Sequence, residues 1–517
     1  MESHEEHGGQ MGMRGVSRPM AEQEMQSGNG EGKHDHHQRT HDDRLSMLHR
    51  HHRQTLWVYW TLPILGVWML LSPFSLGHLN EHLWVDPSGG RGVWFSDQTH
   101  TQLRAWLMTA SDLLSGLLLL IFGWRSLTPN RPISLWTCCL IGIWLVFAPV
   151  LFWAPTSAAF LNNSLVGILL ISLTILIPGM PNMIMYMQHG PPTPPGWTYN
   201  PSSWPQRWIM IVTGFAGFVV SRYLAMFQLG YIGYVWDPFF GFEAGTEKVL
   251  NSDMSHMWPI SDAGLGAVSY TFEFLMGYMG SPSRWRTMPW MVAFFGILVI
   301  PLGLTHIILV CSQPVVVHHW CTLCLLAAGI MLPMIPLEVD EVVAMAQHMI
   351  EAKRRGDHDG SLWTIFWKGG KADGCTPDER SPALMSLPDK PASVFWASIW
   401  GMSFPWTLVV STLLGAVLMF LATVFGLDIK SLPADIGHLG GALIITVSVV
   451  SMGEVIRLGR YLNLPLGLIV AVVPWVGVKT ETLFAVSCSV IGVAIMLLAI
   501  PRGTKTEEYG LCDKYVR

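Results

Sequence analysis

The feature that most constrains this chain is a series of apolar runs, each about 20 residues long. LWVYWTLPILGVWMLLSPFSLG from Leu56 and WTLVVSTLLGAVLMFLATVFG from Trp406 are two of them. Wound as a helix at about 1.5 Å per residue, such a run crosses a hydrocarbon core of about 30 Å. In lipid every backbone N–H and C=O must find its partner within the protein, so only helices and closed barrels span. These runs do not alternate apolar and polar residues as barrel strands do. Composition agrees: 13% of the 517 residues are charged, against about 25% in ordinary soluble chains. The chain therefore reads as an all-α polytopic membrane protein with lipid as its solvent. A net charge of −5 without a basic stripe argues against a nucleic-acid partner.

Twelve transmembrane helices are predicted, at about 56–77, 103–124, 133–153, 160–177, 208–235, 260–279, 286–311, 316–336, 402–425, 436–457, 462–476 and 481–500. Residues 1–54 form a His-rich head (GKHDHHQRTHDD, HRHHR) that is too polar to build a core and is expected to be disordered. Two helical hairpins fill 55–180, and a Pro/Gly-rich linker (GPPTPPGWTYNPSSWPQ) lies within 181–206. Four helices make a central domain over 207–345. An amphipathic and polar linker follows at 346–400, then two further hairpins at 401–502 and a polar tail at 503–517. No apolar leader precedes the first span. Basic residues concentrate in alternate loops (Arg125/Arg131, Arg207, Arg284/Arg286, Lys353/Arg354/Arg355, Arg457/Arg460). By the positive-inside rule both termini face the cytoplasm, as expected for a bacterial inner membrane protein.

The hairpins repeat. Each first helix carries a Gly (Gly66, Gly142, Gly415, Gly467) and three carry a Pro near the outer end, in SPF at Ser72–Phe74, APV at Ala148–Val150 and VPW at Val473–Trp475. The fourth reads ATV at Ala422–Val424. Each second helix carries a Gly that permits close approach. The pattern resembles the SPW repeat, a two-helix bacterial membrane motif that implies no chemistry. Asp112 in a second helix stands where Asn163 stands in the next, and reads as a polar contact between hairpins.

Chemistry concentrates in the central domain. Among eight cysteines only Cys321 and Cys324 form C-x-x-C. Cys138 and Cys139 lie in an apolar run and read as packed side chains. The dithiol stands where a loop enters a helix, and the unpaired N–H groups of a helix start favour thiolate there. One sulfur then faces an incoming dithiol, and the other, one turn inside, faces the membrane. That geometry suits electron transfer between protein thiols and a lipid-soluble quinone. Leu325 in place of His excludes C-x-x-C-H haem attachment. No βαβ pattern supports a thioredoxin domain. His318 and His319 next to the pair leave a Zn or Cu site as an alternative, though no tightly bound metal is expected. An inert pair of buried cysteines is the other alternative. His306 and Glu273 read as satisfied interior polar groups or as quinone-site residues.

From the helix spacing, the segment GTEKVLNS, the helix start PISDAGLGAVSY and the WCTLC dithiol, residues 207–345 resemble the vitamin K epoxide reductase family of membrane thiol–quinone oxidoreductases. The resemblance implies a four-helix bundle around a quinone (menaquinone or ubiquinone), closed by a loop and a short lateral helix. It implies Cys324 as the quinone-proximal thiol and Cys321 as the thiol exchanging with an external thioredoxin-like dithiol protein. Asp262, with Ser261 beside it, falls at the place of a quinone hydrogen-bonding residue. Two departures stand out. Thr246 replaces the loop cysteine of the GC-x-x-VL segment, and Ala328 replaces an aromatic hydroxyl one turn beyond the dithiol. No cysteine lies between 140 and 310. Cys311 is then the candidate substitute resolving thiol, with a packed helix residue as the alternative.

Two functions follow. One is a thiol–quinone oxidoreductase, its turnover altered or lost without loop cysteines. The other is a non-catalytic quinone- or metal-binding scaffold that retains the fold. A transporter is disfavoured, because no broken helices pair between the two halves.

Overall fold

The computed structural model describes residues 46, 49–50, 52–87, 98–176, 192–237, 245–257, 259–382, 390–428, 430–476 and 481–516. The His-rich head lies outside them, apart from a few positions. The chain divides into Met1–Ser46 and Met47–Arg517, and all the helices below belong to the second unit.

Four helices come first: α1 (Leu56–Ser75), α2 (Gln98–Ser126), α3 (Pro132–Leu151) and α4 (Ser157–Leu176). The central four are α5 (Trp204–Gln228), α6 (Asp262–Tyr278), α7 (Pro289–Val316) and α8 (Thr322–Arg355). The last four are α9 (Trp406–Val424), α10 (Leu432–Val450), α11 (Arg457–Trp475) and α12 (Thr482–Ala499). Eleven of these are long and apolar enough to cross a membrane. The exception is α6, whose 17 residues reach about 26 Å. It packs lengthwise on α5 inside the central bundle. Proline at the first turn starts α3, α5, α7 and α10, where its missing N–H has no helical acceptor to lose.

The hairpins repeat in three dimensions. α1 pairs with α2, α3 with α4, α9 with α10, and α11 with α12. In each pair a glycine of one helix faces a glycine of the other: Gly66 with Gly116, Gly142 with Gly167, Gly415 with Gly441, and Gly467 with Gly492. A Cβ on Gly116 would sit 2.9 Å from the Gly66 carbonyl oxygen and 2.9 Å from the Leu70 amide nitrogen. The backbones meet because nothing larger fits between them. Asp112 joins the first two hairpins, as expected, by accepting a hydrogen bond from Asn163 Nδ2 at 2.6 Å. His78, just beyond α1, lies 3.3 Å from its other oxygen. Cys138 and Cys139 are buried core residues.

The sequence reading of α8 needs correction. Its helix begins at Thr322 rather than near 316, and it does not stop at 336 before a separate amphipathic helix. It is one helix of 34 residues running through Pro333 and Pro336, about 51 Å long. The second half of α8 is held by polar contacts rather than by a solvated face. Tyr199 donates to Asp340 at 2.7 Å, Arg284 pairs with Glu341 at 2.5 Å, and Trp197 Nε1 donates to Gln347 at 3.0 Å. The tail joins the same layer: Glu454 accepts from the Thr506 amide at 2.8 Å and the Tyr509 hydroxyl at 3.0 Å. This polar layer lies at the far end of the bundle from the start of α8.

Candidate functional site

The start of α8 is built by its own cysteine. Cys321 has extended backbone (φ −109°, ψ 105°), and its sulfur accepts the Cys324 N–H at 3.1 Å, which caps the helix. Cys321 and Cys324 are joined as a disulfide, so in this state neither sulfur is free to ligate a metal. Both are buried, Cys321 at 0% exposure. The turn leading in is tight: His318 takes a left-handed φ of 59°, sparsely allowed for a residue with a Cβ. His319, half-buried in that turn, has its pKa held below the ordinary imidazole value by burial and then by Lys248, His318 and Lys430. Trp320 packs edge-on against His438 of α10 at 4.7 Å, so the last hairpins brace the motif.

A short helix, Gly245–Leu250, lies over the dithiol. Its Val249 and Leu250 join the cluster that contains both cysteines. Gly245 abuts the Trp320 carbonyl, where no side chain fits. The cover is tied down by Asp237, a residue the sequence reading did not single out. Thr246 donates to Asp237 Oδ2 at 2.6 Å. Thr322, between the two cysteines, donates to Asp237 Oδ1 at 2.7 Å. One carboxylate therefore clasps the cover to the dithiol. Glu247 adds a second tie by accepting the Val235 amide at 2.9 Å.

On the inner side the disulfide meets an apolar core built by all four central helices, including Leu224, Tyr270, Phe295, Val310 and Ala327. Tyr270 of α6 donates its hydroxyl to the Ala327 carbonyl at 2.8 Å, and His306 Nδ1 of α7 lies 3.4 Å from the same hydroxyl. A phenol thus reaches the turn of α8 next to Cys324, from a different helix than position 328. In the sequence Tyr270 is visible only as the last letter of PISDAGLGAVSY; nothing local marks its reach across to α8. His306 has this contact. Glu273 departs from the satisfied reading: it is fully buried, and among the described residues neither of its oxygens has a hydrogen-bond partner.

Ser261 and Asp262 begin α6. The Ser261 hydroxyl is occupied, accepting from the Gly264 amide at 3.0 Å and donating to Gln228 Oε1 at 2.5 Å. Asp262 is half-buried, and its Oδ1 accepts the Ala263 amide at 2.7 Å. Trp153 stacks on His256 at 6.2 Å and donates to the Pro259 carbonyl at 3.0 Å, which docks the second hairpin against this end. Cys311 is a free, half-buried thiol packed against the dithiol's cluster.

The site of this membrane protein is a disulfide at the mouth of a four-helix bundle, covered on one side and facing an apolar core on the other. Residues 208–339 match the Vitamin K epoxide reductase family, and the chain carries a domain of that family between its two sets of hairpins. No curated protein and no solved structure matches the chain.

Proposed function

We propose that the chain is a membrane thiol–quinone oxidoreductase working through Cys321 and Cys324. The observation that carries this reading is the buried disulfide capping α8, with a fastened cover on one side and an apolar bundle on the other. An external dithiol protein, of thioredoxin-like chemistry, attacks Cys321 Sγ and frees Cys324 as thiolate. Its second thiol then displaces Cys321, leaving the donor as disulfide and the chain as dithiol. Oxidation of this dithiol passes two electrons to a quinone (menaquinone or ubiquinone), and the Cys321–Cys324 bond re-forms as quinol leaves. Two S–H bonds of the donor are lost and two O–H bonds of quinol are gained. Tyr270, next to the inner cysteine, and Asp262 with Ser261 at the start of α6 serve the quinone. Cys311 is the reserve thiol for resolving a mixed disulfide.

In this reading the chain sits in a bacterial inner membrane with both termini cytoplasmic and the dithiol periplasmic. The grouping of Arg284, Arg286 and Lys353–Arg355 away from the dithiol supports that orientation. The hairpins, SPW-like in pattern, act as a scaffold that clamps the bundle from both sides.

The test is thiol trapping in cells followed by quinone reduction with purified protein. Cys324→Ser should abolish quinol formation and trap the donor on Cys321. A Cys321→Ala/Cys324→Ala variant that still reduces quinone at the wild-type rate would refute the mechanism. A second reading, a quinone-binding scaffold without turnover, is favoured by one observation: Thr246, tied to Asp237, stands where a relay thiol would be. It predicts stoichiometric quinone binding with no consumption of dithiol.

A further inference from the structure

The central bundle holds acid groups that the thiol chemistry does not use. Glu273 lies one turn beyond Tyr270 on α6, fully buried, with neither oxygen accepting a hydrogen bond among the described residues. Burying a lone carboxylate costs several kcal/mol and contributes nothing to packing. An ionisable group within a membrane bundle marks a path for ions or protons more often than a structural contact.

Glu273 is not isolated along the bundle. Toward the dithiol, Tyr270 stands one turn back on the same helix, its hydroxyl 3.4 Å from His306 Nδ1. Toward the far end, Glu338 of α8 is also buried, and its Oε1 has no hydrogen-bond partner among the described residues. One turn on, Glu341 binds Arg284 through two bonds, Nε to Oε1 at 2.6 Å and Nη2 to Oε2 at 2.5 Å. Ser202, just before α5, donates its hydroxyl to the same Glu341. Arg284 and Ser202 belong to the polar layer at the end of the bundle opposite the dithiol. Titratable groups thus lie on α6, α7 and α8 between the turn beside Cys324 and the opposite face.

We propose that Glu273 and Glu338 carry protons from that opposite face to the quinone. The inference rests on the thiol–quinone reading above and deepens it. The donor dithiol gives two electrons and releases its two protons on the dithiol face, forming one S–S bond. The quinone takes those two electrons through Cys321 and Cys324 and takes two protons through Glu338 and Glu273, forming two O–H bonds. Turnover then moves charge across the membrane. Without these groups, the thiol protons would pass directly to the quinone and no charge would move.

The experiment uses the full chain in proteoliposomes containing quinone and an internal pH dye. A reduced thioredoxin-fold protein, which cannot cross the bilayer, is added outside, so only molecules with the dithiol outward turn over. Quinol formation is followed in parallel. The expected result is internal alkalinisation of about two protons per quinol. Glu273→Gln and Glu338→Gln should each abolish it, while thiol trapping of Cys321 and Cys324 stays as in wild type. Quinol formation without internal alkalinisation in wild type would overturn the proton route and leave the thiol–quinone reading standing. Undiminished alkalinisation in both Gln variants would also overturn it. Absence of quinol in wild type would refute the thiol–quinone reading and, with it, this inference.

Discussion

Thr246 gives its hydroxyl hydrogen to Asp237 across 2.6 Å, and the same carboxylate accepts from Thr322 between the two cysteines. A donor thiol cannot reach Cys321 while this clasp holds, because that residue is fully buried beneath Gly245–Leu250. Hydrogen bonds to a charged group are each worth about 1.5–3 kcal/mol. Asp237→Ala removes two of them and lets the cover lift. Only the Thr322 bond ties Asp237 to α8, so about 2 kcal/mol of closure is lost and the open fraction rises roughly 30-fold. Reduction of the disulfide by excess dithiol, followed by quenched alkylation, should quicken by that order. An unchanged rate would mean that the cover is held by Val249 and Leu250 alone.

The clasp also shows what the sequence could and could not reveal. Cys321 at a helix mouth was legible, because C-x-x-C after a polar turn and before an apolar run has few other meanings. The glycine pairs were legible because each falls at the same place in its hairpin. Asp237 was not, because its partners are 9 and 85 residues away and only the fold brings them together. Tyr270 and Ala327, 57 residues apart, escaped for the same reason. The continuity of α8 was not legible, because the apolar run gives way after residue 336 to an acidic, amphipathic stretch. In the fold those acids meet Arg284 and Tyr199, and the helix runs on.

Tyr270 bears on the inner half of the reaction. Its hydroxyl, held by the Ala327 carbonyl at 2.8 Å, stands at the turn after Cys324. Tyr270→Phe keeps the ring in the core and removes only the polar tip. A single positioned acid–base group contributes about 10²–10⁴-fold to proton transfer. The variant should therefore slow quinol formation by about 100-fold or more, with the chain accumulating as dithiol. Disulfide reduction by the donor should keep its rate. If both half-reactions proceed normally, the hydroxyl serves packing alone.

The glycine contacts test the scaffold separately from the chemistry. A Cβ at Gly116 meets the α1 backbone at two atoms, the Gly66 oxygen and the Leu70 nitrogen, each at 2.9 Å. Backbone cannot yield as a flexible side chain does, so α1 and α2 must separate. Gly116→Ala should lower stability by roughly 1–3 kcal/mol, read as an earlier thermal unfolding midpoint in detergent. The redox state of Cys321 and Cys324 should not change, since the first hairpin pair lies outside their cluster. An unaltered midpoint would show that the α1–α2 contact is loose enough to take a methyl group.

Cys375 reports on the opposite face. It is a free, half-buried thiol packed with Trp285 and Met345, before the start of α7. Burial pushes its ionisation up to about 11 from an ordinary 9.0, against a smaller opposite pull from Arg286 and Arg355. The thiolate is the reactive form, and a rise of two units lowers its share at neutral pH roughly 100-fold. Alkylation of Cys375 in the folded protein should therefore be slow at pH 7 and quicken about tenfold per pH unit below 11. A charged, impermeant reagent at pH 9 should label it in inside-out vesicles and spare it in right-side-out ones. Labelling in right-side-out vesicles would place Cys375 outside, and with it the termini, and would turn the dithiol toward the cytoplasm, where a disulfide formed in the donor is reduced again.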